Sequence, residues 1–289
     1  MRRVNRSVLQ SLSSSTADAP VAMSDRFEVV RLGRRKVRLR VRIREGCGIP
    51  LVMCNGIGSS LEVLDPLVDH LSPTRPVIRF DVPGAGESQL PPLPYTFPSL
   101  ARTLGRMLGQ LGYDQVDVLG YSWGGALAQQ YALQNPKRCR RLVLAATSTG
   151  VLMVPAKPNI LLKMLTPRRF NDPDYMASIA ATIYGGDADV SNASVAAVLN
   201  YHRSPATSRG YIYQLLAGSV WTSMPALALI RQPTLIVAGT DDPIIPFVNA
   251  RIMRCLMPKA KILRHPGGHV DLLTSAPRLG PKIEAFLQA

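Results

Sequence analysis

Acidic residues are scarce in this chain: 19 aspartates and glutamates stand against 34 lysines and arginines, a formal net charge of +15. Aromatic residues make up only 6%. Apolar runs stay short of the roughly eighteen residues that a membrane-spanning helix requires, so no transmembrane segment is expected. The four cysteines, Cys47, Cys54, Cys139 and Cys255, form no CxxC and no paired spacing. That argues against a disulfide framework and for small buried hydrophobes in a reducing cytosol. Histidines, cysteines and acids show no metal-ligand spacing. Gly56-Ile-Gly58 and Gly84-Ala-Gly86 complete neither a dinucleotide fingerprint nor a phosphate loop. No metal and no cofactor are expected.

What remains is a chain of 289 residues, 46% apolar, long enough for one large α/β domain with an insertion. Its basic excess is concentrated near the start. Residues 1–24 carry Arg2, Arg3 and Arg6 against a single acid, Asp18, and are otherwise serine-rich. They lack the apolar core of a secretory signal and read as a flexible extension, with an organelle transit peptide as the alternative. Between Arg31 and Arg44 lie eight basic residues and no acid. Within that stretch Val37-Arg-Leu-Arg-Val-Arg-Ile-Arg44 alternates strictly. A strand there places Val37, Leu39, Val41 and Ile43 on one face and Arg38, Arg40, Arg42 and Arg44 on the other. The arginine face is a candidate for adhesion to an anionic or granule surface. The preferred reading is a solvated strand near a sheet edge, where charge discourages pairing with other chains. No aromatics interleave with these arginines, so sequence-specific nucleic-acid binding is not expected.

Downstream, short apolar runs alternate with helical patterns. Pro50–Asn55, Pro76–Asp81, Asp114–Leu119, Arg141–Ala146, Thr234–Ala238 and a stretch near Lys261–Leu263 read as strands. Phe97–Leu111, Gly125–Gln134 and Arg278–Leu287 read as helices. The alternation predicts a mostly parallel sheet flanked by helices. It breaks between Val151 and Pro225, where prolines, Gly185-Gly186 and helical patches occur without a strand; an inserted helical cap is expected there. The organisation is therefore residues 1–24 as extension, 25–150 and 226–289 as the two parts of the core, and 151–225 as cap.

Gly120-Tyr-Ser-Trp-Gly124 falls between an apolar strand and a helix. A Gly-x-Ser-x-Gly at such a junction is a nucleophile elbow, whose glycines let the chain turn sharply and leave the serine hydroxyl clear of the sheet. A serine hydroxyl needs a base, and the base needs an orienting carboxylate, in the chain order Ser, acid, His. Of the four histidines, His70 precedes the elbow and His202 falls in the cap. His265 directly follows the last strand, whereas His269 sits in the glycine-bearing loop Pro266-Gly-Gly-His-Val270 and is taken as the base. In Ala238-Gly-Thr-Asp-Asp-Pro243, Asp242 is taken as the acid and Asp241 as a loop residue. Two backbone amides are needed for the oxyanion. Trp123, immediately after the serine, supplies one; Ile57, in Asn55-Gly-Ile-Gly58, supplies the other.

Longer strings add a family resemblance. Asn55-Gly-Ile-Gly58, Phe80-Asp-Val-Pro-Gly84, Ser122-Trp-Gly-Gly-Ala-Leu-Ala-Gln-Gln130, Leu142–Thr147, Met153-Val-Pro155 with Lys157-Pro158, Thr182–Gly186 and Trp221-Thr-Ser223 resemble the α/β-hydrolase superfamily over about residues 28–288. Within it they resemble the intracellular poly(3-hydroxyalkanoate) depolymerases of medium-chain polyesters. The resemblance implies an α/β-hydrolase fold and hydrolysis of stored polyester through an acyl-enzyme. It implies Ser122, Asp242 and His269 as triad and a cytoplasmic setting at storage granules. The rival readings are a general carboxylesterase, lipase or cofactor-free perhydrolase acting on small esters, and a non-catalytic binder of anionic surfaces. The chain departs from the family pattern in its arginine-rich strand, its extra start segment and Tyr121, where a small aliphatic residue is expected.

Overall fold

The computed structural model describes residues 23–165, 172–185 and 207–289. Most of the 1–24 extension, His202 and the middle of the expected cap lie outside them. Eight strands form one sheet in the order β1-β2-β4-β3-β5-β6-β7-β8. They are β1 (Met23–Leu32), β2 (Arg35–Arg44), β3 (Leu51–Cys54), β4 (Val77–Phe80), β5 (Val116–Tyr121), β6 (Cys139–Ala145), β7 (Thr234–Gly239) and β8 (Ala260–His265). β1 and β2 form an antiparallel hairpin, β2 runs antiparallel to β4, and every other pairing is parallel. The parallel strands are short and largely apolar in their centres because both faces are covered, the buried Arg79 of β4 being an exception.

The covering helices follow from the sequence periodicity. α1 (Asp65–Val68) follows β3, α2 (Phe97–Gln110) follows β4 and α3 (Trp123–Gln134) follows β5. Thr96 caps α2 in a reciprocal box with Ser99. Leu100, Leu104, Met107 and Leu108 of α2 are buried with Leu127 of α3 against Val52, Ile78 and Val118. The opposite face of the sheet packs Leu51, Met53, Val77 and Val143 on Leu67 and on Leu279 and Ile283 of the terminal helix. β1 went unread because its sequence, Met-Ser-Asp-Arg-Phe-Glu-Val-Val-Arg-Leu, is that of an exposed edge strand with one buried residue, Val30.

The arginine strand corrects the expectation of a solvated or surface-binding face. Val37, Leu39, Val41 and Ile43 are buried as the alternation requires, but Arg40 and Arg44 are buried too. β2 does lie near a sheet edge, as expected, but one strand in, with β1 and β4 flanking it. Register places Asp25 opposite Arg42, and the Asp25 carboxylate accepts from both Arg42 and Arg40. Arg40 also reaches Glu62 at 2.7 Å and Glu87 at 3.1 Å, while Arg42 meets Glu62 at 3.2 Å. Arg44 donates to the carbonyls of Val68, Ser72 and Arg75 at 2.8–3.2 Å. Three of the four guanidinium groups are therefore consumed internally. Only Arg38 is exposed, lying over the Phe27 ring. A further acid, Asp81, is fully buried beside this cluster; burial pushes its carboxyl up to about 6, although the amides of Leu61 and Glu87 donate to it. The cysteines divide likewise: Cys54 and Cys139 are buried, whereas Cys47 and Cys255 are exposed, against the expectation of four buried thiols.

Between β6 and β7 the chain leaves the sheet and forms α4 (Pro158–Leu165), α5 (Pro173–Tyr184) and α6 (Ser208–Ser219). The departing and returning strands of this insertion are tied at a neck. Gly150 bridges Thr222, the Val151 amide donates to Trp221 O, and the Ser223 amide donates to Thr149 O. Gly150 has φ +83°, and a Cβ there would lie 2.2 Å from Trp221 O. Gln129 on α3 locks the neck: its amide nitrogen donates to Gly125 O and Ser148 O while its oxygen accepts from the Ser223 hydroxyl. The chain then completes α7 (Val248–Leu256), α8 (Asp271–Thr274) and α9 (Ala276–Gln288). Among the described residues no helix is long and apolar enough to cross a membrane.

Candidate active site

The loops after β3, β5, β7 and β8 leave the carboxyl ends of neighbouring parallel strands, where open α/β sheets place their sites. Ser122 follows β5 at φ 53°, ψ −120°, a conformation that side chains other than glycine rarely adopt. The turn is held by close backbone approach. A Cβ on Gly120 would fall 2.5 Å from Gly124 O, and one on Gly124 would fall 2.2 Å from Cys54 O. The elbow glycines are thus required by crowding on both sides, and the second one brings α3 against the β3 loop.

Three side chains from three loops then meet. The Ser122 hydroxyl lies 2.9 Å from His269 Nε2, and His269 Nδ1 lies 2.8 Å from Asp242 Oδ2. Asp242 Oδ1 accepts the amides of Ile244 and Ile245 at 2.9 and 2.8 Å. One carboxylate oxygen is therefore fixed by backbone and the other aimed at the imidazole. His269 and Asp242 are nearly enclosed, whereas Ser122 is partly exposed. A hydroxyl bonded to an imidazole whose far nitrogen meets a buried carboxylate is the arrangement that activates an oxygen nucleophile. The rival residues lie apart: Asp241 is exposed, His70 is exposed, and His265 is buried with Nδ1 3.2 Å from Pro266 O. Burial lowers the His265 pKa, which favours its neutral form.

The two amides expected for an oxyanion flank this relay. A Cβ on Gly56 would sit 3.6 Å from Ser122 Cβ, so the Asn55–Gly58 loop runs directly beside the serine. Among the described residues the amides of Ile57 and Trp123 meet no acceptor. The next amide, Gly58, donates to Gln214 Oε1 at 2.8 Å, and the Trp123 indole donates to Gln214 O at 3.0 Å. One glutamine of α6 thereby ties the insertion to both sides of the site.

Several positioning contacts escaped the sequence reading. The His269 amide donates to Tyr184 O at 2.7 Å, at the end of α5, and the Tyr184 ring stacks on the imidazole at 6.4 Å between centroids. Asp271 accepts the Gly268 amide and closes the histidine turn. Tyr121 explains its own departure from the family pattern: its hydroxyl donates to His269 O at 3.1 Å. Only Tyr121 carried a sequence signal, as an unexpectedly large residue within the elbow.

Fold and relay together are those of a hydrolase of the α/β class. A family model described as alpha/beta hydrolase fold matches residues 49–276, and the chain belongs to that family. More particularly, it is 44% identical over 266 residues to a poly(3-hydroxyalkanoate) depolymerase of Ectopseudomonas oleovorans, covering 91% of this chain and 92% of that protein. Among solved structures, an enol-lactonase from Burkholderia xenovorans LB400 superposes with a TM-score of 0.78 at 20% identity, covering 91% of this chain and all of that one. A hydrolase from Pseudomonas aeruginosa PA01 does so with a TM-score of 0.76 at 24% identity, covering 92% and 98%. At such identity these two likenesses are of fold alone.

Proposed function

We propose that the chain hydrolyses the ester bonds of a medium-chain poly(3-hydroxyalkanoate) through an acyl-enzyme on Ser122. Ser122 Oγ attacks the ester carbonyl carbon as its proton passes to His269 Nε2. The bond to the alcohol oxygen breaks, and that oxygen takes the proton from His269, releasing a shortened chain with a free hydroxyl. Water then attacks the acyl carbonyl, giving its proton to His269, and Ser122 leaves with that proton as the hydroxyacyl product departs. Asp242 holds the imidazole in the tautomer that this requires. The amides of Ile57 and Trp123 stabilise the oxyanion in both tetrahedral intermediates.

The observation that carries the chemistry is the Ser122–His269–Asp242 relay at 2.9 and 2.8 Å. The choice of polymer rests on the 44% identity to the depolymerase over nearly the whole of both chains. Residues 25–150 and 226–289 act in this reading as the catalytic core and 151–225 as a cap, supported by the neck at Gly150 and Thr222. A cytoplasmic setting at storage granules follows from the same substrate.

The test compares wild type with Ser122→Ala on emulsified medium-chain polyester and on soluble esters. The expected outcome is polymer hydrolysis by wild type and a loss of about five to six orders of magnitude in kcat for the variant. Equal activity of the two proteins refutes the serine mechanism. Activity confined to small soluble esters refutes the polymer assignment and leaves a general esterase.

A further inference from the structure

A cavity of about 130 Å³ opens beside Ser122, walled by Phe97, Trp123, Trp221 and Ile245, with Gly218 of α6 on its flank. We propose that this cavity is the subsite for the alkyl side chain on the acyl half of the scissile ester, and that its volume limits that chain to about five carbons beyond the third carbon of the acid. The proposal rests on Ser122 being the nucleophile and names the side-chain recognition of that site.

Three observations carry it. First, position: Ser122 lines the cavity, and Trp123 supplies both the amide beside it and part of the wall, so the cavity opens directly off the point where an acyl group would be attached. Second, chemistry: both indole nitrogens are already engaged. That of Trp123 donates to Gln214 O at 3.0 Å, and that of Trp221 donates to Gln130 Oε1 at 2.7 Å. Phe97 packs between the two indoles, with ring centroids 4.5 and 5.0 Å away. The aromatic wall therefore offers carbon surface to its occupant. Of the polar members, Ser148 has its hydroxyl 3.1 Å from the Met153 sulfur, and Thr147 is pressed against Gly125. Third, size: an apolar cavity of about 150 Å³ holds the six carbons of benzene. The present volume therefore matches about five, the side chain of a medium-chain hydroxy acid. A polymer with a methyl side chain leaves most of it unfilled.

Two lining residues, Gly218 and Ile245, allow the cavity to be altered in opposite directions. A Cβ on Gly218 would meet only the Trp123 indole, at 3.8 and 3.9 Å, which is ordinary contact. Gly218→Ala thus narrows the cavity without displacing backbone and favours the α6 helix. Ile245 contributes a side chain to the wall, while only its amide holds Asp242. Ile245→Ala therefore widens the cavity and keeps the acid's hydrogen bond.

The experiment measures kcat/KM for p-nitrophenyl esters of straight-chain acids from butanoyl to dodecanoyl, with polymer hydrolysis assayed separately. Wild type is expected to rise to about octanoyl and then fall. Gly218→Ala is expected to shift the break shorter, lowering the octanoyl-to-hexanoyl ratio about tenfold, and Ile245→Ala to shift it longer. Circular dichroism confirms that each variant is folded, and the opposed shifts separate a subsite effect from general damage. A profile that neither substitution moves overturns the subsite, even if polymer is hydrolysed. Failure on polymer with the break and both shifts intact refutes the depolymerase reading and leaves the subsite standing.

Discussion

Asp242 shows how much of the site's chemistry rides on single atoms. Its Oδ1 is occupied by the amides of Ile244 and Ile245, so the side chain has one free orientation and Oδ2 must face His269. In Asp242→Asn the carbonyl oxygen keeps those amides and the NH₂ group turns toward Nδ1, which forces the imidazole into the tautomer that cannot accept the Ser122 proton. The expected loss in kcat is about 10⁴-fold, with KM little changed and the fold intact. Steady-state kinetics with circular dichroism check it; a loss below tenfold argues that Asp242 does not orient the base. The meeting of Ser122, Asp242 and His269 was legible in the sequence because each lies in a short loop at the end of an apolar strand. Tyr184, Gln214 and Asp271 were not. The first two act on residues 85 and 156 positions away, through a backbone carbonyl or an amide side chain, and no local pattern marks such a contact.

Among elements, the described part of the insertion reaches back to hold the loops of the site. The α5 helix ends with Tyr184 O accepting the His269 amide and with Gly185 wedged at the acid loop. Gly185 has φ +64°, and a Cβ there would lie 2.2 Å from Asp241 O. Gly185→Ala must push the helix end away from both loops, and a displacement near 1 Å at a catalytic group costs about 10²-fold in rate. Such a loss in kcat, with a lowered Tm, is the expected result. An unchanged kcat means that the histidine loop holds its geometry without α5. Strands β3 to β8 could be read because alternation and apolar runs are local; the pairing of acids with the arginine strand could not. Arg40 gathers Asp25 from the hairpin partner, Glu62 from the turn before α1 and Glu87 from the loop after β4. From sequence, eight basic residues without an acid look solvated; folding brings the acids in from three other segments.

Across the whole molecule, an excess of fifteen positive charges coexists with a concentration of acids around one strand, and this fixes the sign of the pH response. The hydrogen bond from Arg42, with that from Arg40, holds the Asp25 carboxyl well below its ordinary value. A carboxylate with a depressed folded-state pKa stabilises the protein above its unfolded value, near 4, and loses that contribution as pH falls toward the folded one. Asp81 has the opposite sign. Burial raises it to about 6, so the folded state keeps a proton that the unfolded chain has released. Its contribution grows as pH falls from about 6 to about 4. Protonating acids elsewhere only adds to the positive charge and its self-repulsion. Stability measured by urea titration across pH is therefore expected to rise modestly below about 6 and to decline below about 4. Asp25→Asn should lower stability at neutral pH and make the acid-side decline shallower, since the carboxylate that is lost there is already gone. Asp81→Asn should reduce the rise between about 6 and 4, leaving the contribution of the buried Asp117, also raised by burial, and should leave the decline. If Asp25→Asn left the acid slope as steep as in wild type, the arginine cluster would not be what acid dissolves, and its charges would have to be sought on the exposed hairpin tip at Arg34, Arg35 and Lys36.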